Sequence, residues 1–239
     1  MIKNLMTKIN RRIKIYLSSA FVLAILLFSA SLLILKNSDH TSRTILKEKA
    51  DIIAAAINLE YLAQLNGYNN DLYLPAYAKL KDQLYNIRCS DSAYKFLYIM
   101  GQTPEGEIFF FIDSQRPESP DFVSPGTIYK EISEEYLNAF EKEIKITVGP
   151  VTDRWGTMIT ALIPIKHPIS GELMGVLGLD VLDNNWQSTI ISRSLPIIVL
   201  MYLILFVFVG IVIFREYSRN YRFKRYGDRK IRGSKSSFS

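Results

Sequence analysis

Two stretches of this chain contain no charged residue: residues 15–35, IYLSSAFVLAILLFSASLLIL, and residues 195–214, LPIIVLMYLILFVFVGIVIF. A bilayer's hydrocarbon core is about 30 Å thick and takes about 20 helical residues at about 1.5 Å each, so either stretch is long enough to span it. Residues 36–194 are then the part that must fold in water. By position the first stretch also fits a signal peptide. Its apolar run exceeds the usual h-region of about 7–15 residues, and the exit LLILKNSDH lacks a small-x-small cleavage pattern. We read it as an uncleaved anchor.

The net charge of +6 conceals an opposition. Lys3, Lys8, Arg11, Arg12 and Lys14 precede the first apolar stretch with no acid among them. Nine basic residues, from Arg215 to Lys235, follow the second against Glu216 and Asp228 only. Residues 36–194 carry the reverse imbalance, fifteen basic residues against twenty-one acids. Basic residues beside spans stay cytoplasmic, so both termini are expected inside and the acidic middle outside. The implied segments are a basic N-terminus (1–14), a first span (15–35), an extracytoplasmic domain (36–194), a second span (195–214) and a basic tail (215–239). Because the positive charge sits beside spans, it points to anionic lipid of the inner leaflet and not to nucleic acid.

Cys89 is the one cysteine, so no internal disulfide can form, and the residue is expected to be buried or incidental, with an intermolecular bridge as the lesser alternative. His40 and His167 alone give no zinc spacing, and no metal or cofactor is expected. No Ser/His/Asp set and no Gly-rich phosphate loop is present, which argues against an enzyme.

Within the middle segment, residues 36–66 read as a long helix with an apolar stripe of Ile45, Ile52, Ile53, Ala56, Leu59 and Leu62, stopped at Gly67. Such a stripe serves core packing, a dimer contact, or both. Residues 71–92 hold a weaker helical pattern on Tyr77, Leu80, Leu84 and Ile87. KFLYIMG (95–101) and EIFFFID (107–113) flank a Pro–Gly turn and predict a hairpin. A proline-bearing loop (114–130) precedes a short helix over 134–142 with Ser133 as N-cap. Three strands follow, 145–153, 158–165 and 173–181, the last two joined by a polar turn. Strands joined by short turns pair antiparallel, and helices segregated from strands define an α+β domain with one sheet of about five strands. Trp186, between the last strand and the second span, lies where interfacial aromatics sit.

The hairpin FLYIMGQTPEGEIFFFID and the block GPVTDRWGTMITALIPIKHPISGELMGVLGLDV resemble the Cache family of extracytoplasmic sensors over about residues 40–190. That resemblance implies a PAS-like fold, a long N-terminal helix packed on a five-stranded antiparallel sheet, between two transmembrane helices. It also implies a small extracellular ligand held on one sheet face, as in bacterial sensor histidine kinases and diguanylate cyclases. After Phe214 about 25 residues remain, too few for either output domain. The expectation is therefore a sensing half, truncated or stand-alone, working as a homodimer or with a partner signalling protein. The alternative is an accessory or scaffold protein whose outer domain binds another protein.

Period two places Met174, Val176, Gly178 and Asp180 on one face of the last strand, and Leu173, Gly175, Leu177, Leu179 and Val181 on the other. The more aliphatic face is expected to pack on the long helix. A glycine inside a strand often marks a close approach by another group. The Cache resemblance suggests the ligand pocket on this face, which makes Asp180 a candidate for a cationic or amino group, or else a strand-end acid facing solvent. In TDRWG, Arg154 has the fork that grips a carboxylate and Trp155 offers a wall, with Asp153 beside them; alternatively Asp153 and Gly156 simply make a turn. Tyr98 and Tyr129 are candidate walls. The Arg–Trp–Tyr cluster of amino-acid-binding Cache domains has no counterpart in GTIYKEISEEYLNAF, which lacks Arg and Trp.

Overall fold

The computed structural model describes residues 2–235, with side chains described from 15 to 219 apart from 17 and 216. The basic flanks 1–14 and 220–239 therefore lie outside the residues whose side chains are described. In chain order the elements are α1 (Ile2–Ala56), α2 (Leu59–Leu62), a 3-10 turn (Asn69–Tyr73), α3 (Pro75–Cys89), β1 (Tyr94–Gln102) and β2 (Ile108–Asp113). There follow α4 (Glu134–Glu141), β3 (Ile146–Asp153), β4 (Gly156–Lys166), β5 (Leu173–Leu182) and α5 (Asp183–Lys235). Residues 37–191 form one compact unit, and the described segments on either side of it a second.

The five strands make one sheet in the order β2-β1-β5-β4-β3, with every neighbouring pair antiparallel. The sequence-predicted hairpins are β1–β2 and β4–β5, and β5 takes the centre because it pairs across the chain with β1. In the turn between β3 and β4, Asp153 Oδ1 accepts the Trp155 N–H at 2.8 Å. Gly156 follows at φ +125, a conformation that side chains disfavour.

The two sheet faces are both buried. One carries Phe96, Tyr98, Met100, Leu162 and Val176 in a cluster with Tyr136, Ala139 and Phe140 of α4. On the other, Leu97, Ile99, Leu177 and Leu179 have no exposed surface. There α1 is tied to β3 by Arg43 Nη2 donating to Gly149 O at 2.9 Å, and by Thr147 Oγ1 donating to Arg43 O at 3.2 Å.

Several local expectations need correction. The helix ends at Ala56 and not near Gly67, because Asn58 adopts an extended conformation and caps α2, its Oδ1 accepting the Tyr61 N–H at 3.1 Å. The buried stripe of α1 is Leu46, Ala50, Ile53 and Ala54, continued by Ile57 just past its end; Ile52 is 72% exposed and Ala56 exposed as well. Apolar residues at 45, 46, 52 and 53 allow two overlapping stripes, and packing selects the second. Ser133 occupies the N-cap position of α4, but its buried hydroxyl makes no cap bond and has no partner among the described residues. Cys89 is exposed at the end of α3.

Trp186 is only 4% exposed and is no interfacial aromatic. Its Nε1 donates to Asp39 Oδ1 at 2.8 Å, while Arg43 binds Asp39 Oδ2 at 2.8 Å and lies 5.8 Å from the Trp186 ring centroid. Losing a hydrogen bond to a charged acceptor costs about 2 kcal/mol. Trp186→Phe is therefore expected to lower the Tm by about 5 °C in a thermal melt, for a unit of this size. An unchanged Tm would show that the indole N–H contributes nothing there.

Candidate functional site

The register decides what faces the cleft. Asp180 on β5 pairs with Phe96 on β1 and Thr160 on β4, so the three stand in one row across the sheet. In the next row Gly178 pairs with Tyr98 and Leu162. A Cβ at position 178 would lie 2.1 Å from Tyr98 Cε2. The glycine thus leaves room for the Tyr98 ring to cross the strand, and its hydroxyl reaches Asp180.

Asp180 Oδ1 accepts two hydroxyl hydrogen bonds, from Thr160 Oγ1 at 2.6 Å and from Tyr98 at 3.1 Å. The Tyr136 hydroxyl donates to Thr160 Oγ1 at 3.1 Å and lies 3.3 Å from that of Tyr98. Burial pushes the Asp180 carboxyl up to about 7, the two hydroxyl bonds pulling the other way and the charge of Asp153 adding to the rise. Burial likewise raises the phenols of Tyr98, Tyr129 and Tyr136, so they remain hydrogen-bond donors at neutral pH.

Above this floor lies a cleft that opens to solvent, its empty space about 360 Å³ when the open mouth is counted in. Its walls are aromatic: Phe96, Phe110 and Trp155 meet edge to face, and Trp155 stacks with Tyr129 at 6.3 Å. Tyr129 donates to Asp153 Oδ2 at 3.0 Å, which ties the loop after β2 to the β3–β4 turn. At one margin Asp113 pairs with the half-buried Lys81 ammonium and accepts the Val123 N–H at 3.1 Å. Burial pushes the Asp113 carboxyl up and the Lys81 ammonium down, and the ion pair opposes both shifts.

Five of the six candidate residues from the sequence, Tyr98, Tyr129, Asp153, Trp155 and Asp180, line this one cleft. Arg154 does not: it is exposed, with its guanidinium carbon 3.9 Å from the Trp155 ring centroid. Asp153 makes the turn expected of TDRWG with one oxygen and meets Tyr129 with the other. Asp180, only 6% exposed, does not face solvent. Sequence reasoning missed Thr160, Tyr136, Phe96, Phe110 and the Lys81–Asp113 pair. Thr160 was findable as the polar residue of the apolar run MITALIPI. Tyr129→Phe, which removes the tie to Asp153, is expected to cost about 2 kcal/mol in a thermal melt; no loss would mean that the loop after β2 is held by its backbone bonds alone.

No family model matches the chain, and no curated protein matches it. Among solved structures it is similar to the ligand-binding domain of the Campylobacter jejuni chemoreceptor Tlp3 in complex with L-valine, at 16% identity and a TM-score of 0.42, over 69% of this chain and 60% of that one. It is also similar to an extracellular ligand binding receptor from Desulfohalobium retbaense, at 14% identity and a TM-score of 0.47, over 68% of this chain and 27% of that one. A third is the periplasmic domain of RsbU from Chlamydia trachomatis, at 17% identity and a TM-score of 0.35, over 69% of this chain and 56% of that one. This chain spans less than two thirds of each of these structures. The first two are described as ligand-binding and the third as a periplasmic domain.

Proposed function

We propose that residues 37–191 are an extracytoplasmic small-ligand sensor, anchored by two membrane-crossing helices with both termini cytoplasmic. The observation that carries the sensor reading is the aromatic cleft with a buried carboxylate at its floor. Length and composition support the anchoring: α1 and α5 each hold a stretch apolar enough to cross a bilayer. Phe21, Leu33, Phe206 and Phe214 are exposed along them, as lipid-facing residues would be. Signalling proceeds by population shift. A ligand that favours one arrangement of the cleft acts directly on β5, which ends at Leu182 and is followed at once by α5 from Asp183.

The test is a thermal-shift screen of the full chain in detergent micelles against amines, amino acids and small carboxylates. A ligand at 100 times its Kd adds about 2.7 kcal/mol, enough to raise the Tm by several degrees. At least one class is expected to give that shift, and to lose it in Asp180→Asn. A cooperative melt that nothing moves would overturn the sensor reading in favour of a protein-binding domain. Topology has its own probe, because Cys89 is the one cysteine and is exposed. A membrane-impermeant maleimide is expected to label it in intact cells; labelling only after lysis would reverse the assignment.

A further inference from the structure

Four carboxylates line the cleft: Asp113, Asp121, Asp153 and Asp180. Two are matched by cations. Asp113 holds the Lys81 ammonium, and Asp121 holds Lys95 Nζ at 3.1 Å. The other two have no cationic partner among the described residues. Asp153 accepts only the Trp155 N–H and the Tyr129 hydroxyl. Asp180, 94% buried, receives both of its hydrogen bonds on Oδ1, so Oδ2 accepts none from the described residues while the side chain lines the cleft. Ionising a carboxyl in so apolar a setting is costly, and a second unmatched acid beside it adds to the cost.

We infer that this cleft takes a protonated organic amine without a carboxylate, its nitrogen between Asp180 Oδ2 and Asp153 and its apolar body against Phe96, Phe110 and Trp155. The inference rests on the sensor reading and narrows its ligand. An ammonium supplies the N–H donors that Asp180 lacks, and aromatic faces attract cations. A metal ion fits poorly, because a hard cation needs about six or more oxygen ligands and the other walls are rings. An amino acid fits poorly too. Its carboxylate would lie among acids, while Lys81 and Lys95 are engaged and Arg154 rests on the outside of Trp155.

A proton on Asp180 competes with such a ligand. The groups facing Asp180 are Tyr98 from β1, Thr160 from β4, Tyr136 from α4, Tyr129 from the loop after β2, and Asp153 from β3; none is a cation.

The experiment is calorimetric titration of the full chain in micelles with 3-methylbutylamine, phenethylamine and putrescine. Matched probes are L-leucine and L-phenylalanine, which add a carboxylate, and 4-methylpentanoate and 3-phenylpropanoate, which replace the amine with one. At least one amine is expected to bind tenfold or more tighter than its matched amino acid, tightening as pH rises towards 7 and levelling above it. Asp180→Asn and Asp153→Asn are each expected to weaken it tenfold or more while still melting cooperatively, and Lys166→Ala, whose partner Glu143 is not in the cleft, to leave it unchanged. If an amino acid or acid binds and the amines do not, or if both asparagine variants bind an amine at full strength, the amine assignment falls and the sensor reading stands. If these probes and the wider metabolite screen are all silent, both fall.

Discussion

Asp180→Asn is expected to melt well above the parent protein at pH 8 and close to it at pH 4. The carboxyl's pKa rises from 3.8 to about 7 on folding, so between those values the folded chain holds a proton that the unfolded chain has released. Stability therefore falls as pH climbs from about 4 to about 7, and the full penalty persists above that. At about 1.4 kcal/mol per pKa unit the penalty is on the order of 4 kcal/mol. Asparagine keeps an oxygen for the Thr160 and Tyr98 hydroxyls but has no charge to desolvate, and so escapes the penalty. Part of the gain is lost to the amide N–H₂ group, which would point where Oδ2 accepts no bond. Melting curves of parent and variant at pH 4, 6 and 8 measure the difference directly; a gap that does not widen with pH would show that Asp180 is ionised and satisfied in the folded chain.

The second large effect is expected at Gly178→Ala. The new methyl carbon would sit 2.1 Å from Tyr98 Cε2, 2.3 Å from Cζ and 2.7 Å from the hydroxyl oxygen, far inside van der Waals contact. Tyr98 has little room to retreat: it is 5% exposed, with Phe110 edge-on at 5.4 Å. Overpacking a core in this way typically costs 1–3 kcal/mol, and backbone shift in a central strand puts this site at the upper end, about 3 kcal/mol. The displaced ring would also withdraw its hydroxyl from Asp180, so ligand binding should fail along with stability. The double variant Gly178→Ala/Tyr98→Val relieves the clash and should recover much of the stability without recovering the hydroxyl. Equal losses in the single and double variants would mean that the strain lies elsewhere.

Alternation along the last strand was enough to put Gly178 and Asp180 on one face, because side-chain direction in a strand is a local property. The hairpins were legible for the same reason, since short turns leave few pairings open. What period two does not encode is which strand lies alongside. That Phe96 flanks Asp180 depends on β1 crossing the chain to meet β5, a long-range pairing without a local signature, whereas Thr160 arrives through the β4–β5 hairpin. The helix shows a related limit: Ile45, Leu46, Ile52 and Ile53 support two stripes a fraction of a turn apart, and only the sheet beneath chooses. At the β3–β4 turn a single residue of reversal separates Trp155, inside the cleft, from Arg154, outside it. Trp186 was misplaced because its partner, Asp39, is 147 positions away in the sequence.

The tie between Asp39 and Trp186 has a practical corollary, reinforced by Ser38 Oγ donating to the Ile190 carbonyl at 3.4 Å. Ser38 and Ile190, each one residue in from an end of the 37–191 unit, stand within a hydrogen bond of each other, so all the chain between them begins and ends at one doorway. A module with such neighbouring ends can be spliced into a surface loop of an unrelated host with little added closure entropy, since its fold already holds the two ends together. A fluorescent protein carrying this insert at a loop beside its chromophore would be a natural reporter, its emission following whatever occupies the cleft.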